Sequence, residues 1–129
     1  MRTKLSLTLE DAQPMMAAAL RAAETMGRAV SVAIVDDAGD LLAFARLTGA
    51  RGYTIDLATR KARAAASVGA PTVIIAARSA EYTAGQGGLP VMMEGACAGA
   101  IGVSGALPEE DDEIGAAGIA ALSATRTKT

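Results

Sequence analysis

The 129-residue chain contains no histidine. That absence excludes Ser-His-Asp and Cys-His catalysis, histidine-containing zinc sites and proximal-histidine haem ligation. There is one cysteine, Cys97. It rules out an intrachain disulfide, and a thiolate zinc or iron–sulfur site cannot be built within one chain. Tryptophan is absent, and Phe44, Tyr53 and Tyr82 are the only aromatic residues. Hydrophobic residues nevertheless make up 51% of the chain, so the apolar content is mostly alanine and aliphatic side chains. Small side chains let elements approach closely but make a thin core. Part of the apolar surface is therefore expected to be buried between subunits of a homo-oligomer. The net charge is −2 and no basic stripe stands out, which argues against nucleic-acid binding. No apolar run approaches the roughly 20 residues that span a bilayer. The opening MRTKLSLTLEDAQ lacks the apolar core of a secretory signal. A cytoplasmic chain with no membrane partner is expected, folded as one domain over 1–129 with its core at about 8–122.

What is present alternates between helical and strand patterns. Thr8 is placed to cap a helix, with Glu10 and Asp11 at its positive end. Leu9, Ala12, Met16, Ala19, Leu20 and Ala23 recur at helical spacing, and Gly27 is a helix stop. Val30 to Val35 and Leu41 to Leu47 flank the turn Asp36-Asp37-Ala38-Gly39-Asp40 and predict an antiparallel hairpin. Thr54 to Ser67 reads as a helix with Ile55, Ala58, Ala62, Ala65 and Ala66 on one face. Arg60, Lys61 and Arg63 are expected on or near the other. Val73 to Ser79 reads as a helical or mixed segment, because VIIA also has strand propensity. Glu81 to Gly88 is expected to be a loop.

The stretch GGLPVMMEGACAGAIGVSG, Gly87 to Gly105, resolves into a second hairpin. Glu94-Gly95 is its turn, between Pro90 to Met93 and Cys97 to Val103. Gly99 and Gly102 mark places where another backbone or a ligand comes close. A phosphate loop needs Lys-Ser/Thr after its last glycine, and Gly105 is followed by Ala-Leu-Pro. The dinucleotide spacing fails too, and Ser104 has no histidine to activate it as a nucleophile. Pro108 starts the last helix, with Glu109, Glu110, Asp111 and Asp112 at its positive end. Ile114, Ala117, Gly118, Ala121 and Leu122 form its buried face, and Ser123 to Thr129 reads as a frayed polar tail.

GGLPVMMEGACAGAIGVSGA followed by PEEDDEIGAAGIAAL resembles the C-terminal signature of the GlcG/HbpS-like family, also called the haem-degrading domain family. VSVAIVDDAGDLLAFARLTGA and TIDLATRKARAAA resemble its first hairpin and its helix motif. The resemblance runs from about Leu9 to Leu122. It implies an α+β fold: a central antiparallel sheet of two hairpins flanked by helices, related to profilin- and PAS-like arrangements. It implies dimers or larger rings, including octamers, and for some members haem binding; others sit in catabolic operons.

Against that background the candidate axial ligands for haem are Tyr53, Tyr82, Met92, Met93 and Cys97. Met92 and Met93 point to opposite faces of a strand, so one at most faces a given pocket. Arg46, Arg60 and Lys61 are candidates to hold propionates or another carboxylate. Asp36, Glu94 and Tyr53 are candidates for proton transfer. For the two acids a role as turn residues needs no further function, and for the methionines and Cys97 packing is the simpler reading. Three readings stay open, of which two are functions of a pocket: an oligomeric small-ligand binder taking haem or another tetrapyrrole, and a cofactor-independent isomerase, lyase or hydrolase acting on a small carboxylate or carbonyl compound. A purely structural oligomer-forming module is the third.

Overall fold

A computed structural model describes residues 5–78 and 85–127. The elements run α1 (Leu9–Thr25), β1 (Ser31–Asp36), β2 (Leu41–Arg46), α2 (Tyr53–Val68), α3 (Thr72–Arg78), β3 (Gly88–Met93), β4 (Ala96–Ser104) and α4 (Pro108–Thr127). The four strands form one antiparallel sheet in the order β2-β1-β4-β3. The two expected hairpins are thus joined through their inner strands, with Ala33 opposite Gly102 and Ile34 opposite Ile101.

The central strand β1 is buried on both sides, and side-chain alternation splits its residues between two layers. Val32 and Ile34, with Ile101 and Val103 of β4, face α1 and α4, where they meet Met15, Ala19, Ile114 and Leu122. Each large aliphatic side chain removed from water here contributes about 1.5–3 kcal/mol. Ala33, Val35 and Ala100 face α2, which returns Ala58, Ala62, Ala65 and Ala66. This second layer is almost entirely alanine and lies correspondingly close. A Cβ added to Gly102 would collide with the Ala58 carbonyl oxygen and come within 2.5 Å of the Ala62 nitrogen.

Local chemistry sets the boundaries. Thr8 caps α1 in a reciprocal capping box with Asp11. The Glu94-Gly95 turn has φ of 52° and 79° at its two central residues, the primed geometry whose twist matches a hairpin. Thr72–Arg78 is helical, which settles the mixed reading of that segment as far as Arg78; Ser79 and residues 81–84 of the expected loop lie outside the described residues, and Gly88, expected in that loop, opens β3. The last helix continues to Thr127, beyond Leu122, where the sequence reading ended it. Two face assignments on α2 need correcting. Ile55 is exposed, and Lys61 is buried at 4% exposure, because its side chain runs toward β4 and α4 instead of outward.

Candidate functional site

Three chain segments converge where β1 begins and where β2 and β4 end. Between them lies a cleft of about 240 Å³, lined by Arg28, Arg51, Tyr53 and Thr54 and walled by Gly49 and Gly105. A second, more open cleft of about 520 Å³ shares Gly27, Arg28 and Ala29 with the first and adds Glu24, Leu47 and Thr48. The two form one furrow in which Arg28 is common to both halves.

The first turn of α2 is pinned to the sheet. The Thr54 hydroxyl donates to the Arg51 carbonyl at 2.6 Å, and the Ser31 hydroxyl of β1, at 2.8 Å, is left to donate to Thr54. Both hydroxyl residues are buried. Arg46 donates from Nη1 to the Ala50 carbonyl at 2.9 Å, bracing the loop that carries Arg51. These bonds hold Tyr53 at the rim, 63% exposed. Arg28 contacts Glu110 through Nε at 2.8 Å, and the same Glu110 oxygen accepts from the Leu107 N–H at 3.1 Å. Arg51 is exposed and makes no side-chain bond among the described residues. The site thus pairs a fixed frame with two guanidinium groups that retain free donors.

The other sequence candidates lie elsewhere. Asp36 and Glu94 sit at the two hairpin turns, at the opposite end of the sheet from Tyr53, about 20 Å away along a six-residue strand. Asp36 accepts from the Ala38 and Asp40 N–H groups, both at 3.0 Å, so its carboxylate is occupied in closing its own turn. Met92 is exposed near that same end, and Met93 packs against the α1/α4 core layer. Cys97 lies opposite Met92 on β4. Arg60 is on the outward side of α2. Of the sequence candidates, Tyr53 lines the cleft and Arg46 braces it. Tyr82 lies outside the described residues. Among the described residues, no three potential ligands among histidine, cysteine, aspartate and glutamate come together as a metal site.

Lys61 lies beyond the furrow, on the flank of α2 toward β3. Its ammonium donates to the Val103 carbonyl at 2.8 Å and meets Asp111 Oδ2 at 3.3 Å. Asp111 Oδ1 accepts from the Ala106 N–H at 3.0 Å. Burial pushes the Asp111 carboxyl up to about 6, and attraction to Lys61 offsets this only in part. The pair is a buried brace between α2, β4 and α4.

Sequence reading missed Arg28, Arg51 and the partnership of Lys61 with Asp111. Arg28 was hidden behind a helix-stop glycine, and Arg51 within a glycine-bounded break. Asp111 was read only as one acid in a helix-start run. One signal was available: a cation within the alanine-rich stretch Ala58 to Ala66 calls for a partner if it turns inward.

This is the architecture of a three-layer α+β domain, helices on both faces of one sheet, with a furrow at one end of that sheet. The family model for "Haem degrading protein HbpS-like" matches residues 7–120, and the chain belongs to that family. Protein GlcG of Escherichia coli K12 is 33% identical over 114 residues, covering 81% of this chain and 85% of the relative. The crystal structure of a double mutant of Streptomyces reticuli HbpS superposes with a TM-score of 0.88 at 39% identity, covering 95% of this chain and 90% of that one. A structure described as a PduOC:heme complex superposes with a TM-score of 0.84 at 25% identity, covering 91% and 95%. These likenesses support the α+β assignment and the family resemblance read from the glycine-rich stretch. Among the described residues, no helix is long and apolar enough to cross a membrane.

Proposed function

We propose that this chain is an oligomeric small-ligand-binding protein whose furrow takes a carboxylate-bearing ring of the haem or tetrapyrrole class. The observation that carries the reading is the junction of the two clefts at Arg28, with Arg51 and Tyr53 beside it. Guanidinium groups form paired, charge-assisted bonds to carboxylates, and propionates are such carboxylates. The open cleft at Leu47 and Thr48 offers a floor for an apolar body. Its volume lies in the ordinary range of about 300–1,000 Å³ for ligand pockets. The family description and the haem-bound relative support the ligand class. The donor set fits in one respect: Tyr53 is the sequence-selected axial candidate that lines the furrow, and tyrosine is a known haem ligand. When bound, the iron would supply the redox and ligand-binding chemistry; the chain's part is to hold the carboxylates and offer a phenol.

Self-association completes the reading. The strands β2 and β3 are the outer strands of the sheet, and Leu41, Tyr53, Ile55 and Met92 are large apolar or aromatic side chains left exposed. A single cysteine suits the reducing cytoplasm, where we place the protein.

A hemin titration followed at the Soret band, with native mass measured on the same samples, tests this. A saturable, sharpened band at fixed stoichiometry per chain, lost in Arg51→Ala and shifted in Tyr53→Phe, is expected. A broad, unsaturating spectrum from a well-defined oligomer removes the tetrapyrrole. A second reading is favoured by the size of the inner cleft: about 240 Å³ suits a small acid better than a macrocycle. In that reading Tyr53 moves a proton on a small carboxylate or carbonyl substrate held by the arginines.

A further inference from the structure

We infer that the inner cleft is a selective site for compact carboxylates, and that Glu110 is its built-in competitor for Arg28. The inference rests on the reading of the furrow as a ligand site and names what its inner half recognises.

Arg28 meets Glu110 Oε1 at Nε, 2.8 Å away, and neither Nη group makes a hydrogen bond among the described residues. Arg51 is likewise without one. Two cations that line one small cleft repel each other unless an anion lies between them. Glu110 neutralises only the first. Its side chain is 23% exposed, against 40% for Arg28, so the ion pair lies at the cleft's margin. One Glu110 oxygen serves both Arg28 and the Leu107 N–H. Glu110 therefore makes no paired hydrogen bond to Arg28, whereas a free carboxylate can present two oxygens to a guanidinium edge.

Size and polarity narrow the class. A cleft of about 240 Å³ corresponds to the space of about eight water molecules, at about 30 Å³ each. That admits a two- to four-carbon acid. Gly49 and Gly105 add no side chains to the walls, and Thr54 is committed to Ser31 and Arg51. Recognition therefore falls to the arginines and to the Tyr53 hydroxyl, which has no hydrogen-bond partner among the described residues. A second carboxylate on the ligand would let Arg28 and Arg51 each take one, which favours a short dicarboxylate over a monocarboxylate.

Glu110 then sets the affinity. A carboxylate that takes the Nε edge of Arg28 must displace it, one that takes the free Nη edge binds against its charge, and in either case Glu110 keeps its bond to Leu107. Replacing Glu110 by glutamine retains an oxygen for Leu107 but gives up the charge that holds Arg28. The change is expected to tighten ligand binding, whereas mutation of an ordinary wall residue weakens it.

The test is calorimetric titration with malonate, with acetate and inorganic phosphate as comparators, at constant ionic strength. Saturable malonate binding at one site per chain is expected. Glu110→Gln should tighten it about threefold or more, and Arg51→Ala weaken it about tenfold, the effect of about 1.4 kcal/mol. Arg63→Ala, on the outward side of α2, should leave it unchanged, and circular dichroism establishes that each variant is folded. Absence of saturable malonate binding overturns the inference, as does a Glu110→Gln variant that binds no tighter. Equal loss in Arg51→Ala and Arg63→Ala would reveal unspecific charge attraction. Phosphate binding as tight as malonate would overturn the carboxylate class. Hemin titration of the same variants separates the two readings. Hemin binding without malonate binding sinks only this inference, and the converse sinks only the tetrapyrrole.

Discussion

Replacing Lys61 with methionine removes an ammonium from a site where it is 4% exposed and leaves Asp111, 3% exposed, without its counter-charge. Breaking a buried pair from one side costs about 3–5 kcal/mol, because the remaining charge is neither solvated nor matched. The cost should depend on pH in a definite direction. Asp111 has its carboxyl at about 6 in the fold against an ordinary value of 3.8. The folded chain therefore holds this proton more tightly than the unfolded one. The stability contributed by that proton is fully present below about pH 4 and is lost as pH rises through about 6. At about 1.4 kcal/mol per pH unit the span is about 3 kcal/mol. At pH 8 Asp111 is ionised and the Lys61 charge matters. At pH 5 the carboxyl is mostly protonated, and Lys61→Met should cost only the bond to Val103, about 2 kcal/mol. The measurement is urea denaturation of the wild type, Lys61→Met, Asp111→Asn and the double variant at both pH values. Circular dichroism is the probe, since the chain has no tryptophan. The double-mutant cycle isolates the pair. A coupling that is small at pH 8, or equal at pH 8 and pH 5, would refute the assignment of a charged brace.

Two further outcomes follow from the packing of α2. Thr54→Val removes the hydroxyl that joins Ser31 to the Arg51 carbonyl and leaves Ser31 buried without that partner. It should cost about 1–3 kcal/mol in urea melts and loosen the loop that carries Arg51, seen as faster amide exchange at Thr54 and Ile55, whose N–H groups bond the Arg51 and Gly52 carbonyls. Gly102→Ala places a methyl against the Ala58 carbonyl and the Ala62 nitrogen. A loss of about 3 kcal/mol or more is expected, at or above the top of the usual range for overpacking, because backbone cannot rotate aside as a side chain can. A thermal midpoint unchanged from wild type would show that α2 does not lie as close to β4 as described.

The fold was legible because its signals are local. The apolar, β-branched run Val30 to Val35, the Glu94-Gly95 turn and the helix-start chemistry at Thr8 and Pro108 each depend on near neighbours in sequence. The furrow was legible only in part. Tyr53 drew notice as an aromatic at a helix start, and it does line the cleft. Arg28 and Arg51 lie 23 positions apart and meet only because β1 and β2 fold back on each other, which no spacing rule reports. Lys61 misled for a related reason. Lysine on an alanine-rich helix is normally the solvated face, and the acid that draws it inward stands 50 residues away on α4. Asp36 and Glu94 had the right chemistry for proton transfer, but tertiary placement sends both to the far end of the sheet.

The alanine layer beneath α2 has a mechanical consequence. Alanine has no rotamers, so Ala58, Ala62, Ala65 and Ala66 cannot rearrange to absorb a disturbance. A side-chain-rich interface can answer a ligand by repacking while its backbone stays still. Here the helix either keeps its seat on the sheet or slides as one piece. A load applied at Tyr53 is therefore transmitted along α2 as rigid displacement. It is felt where that helix is bolted to the rest of the molecule, at the Thr54–Ser31 bond beside the load and, two turns on, at the ammonium of Lys61.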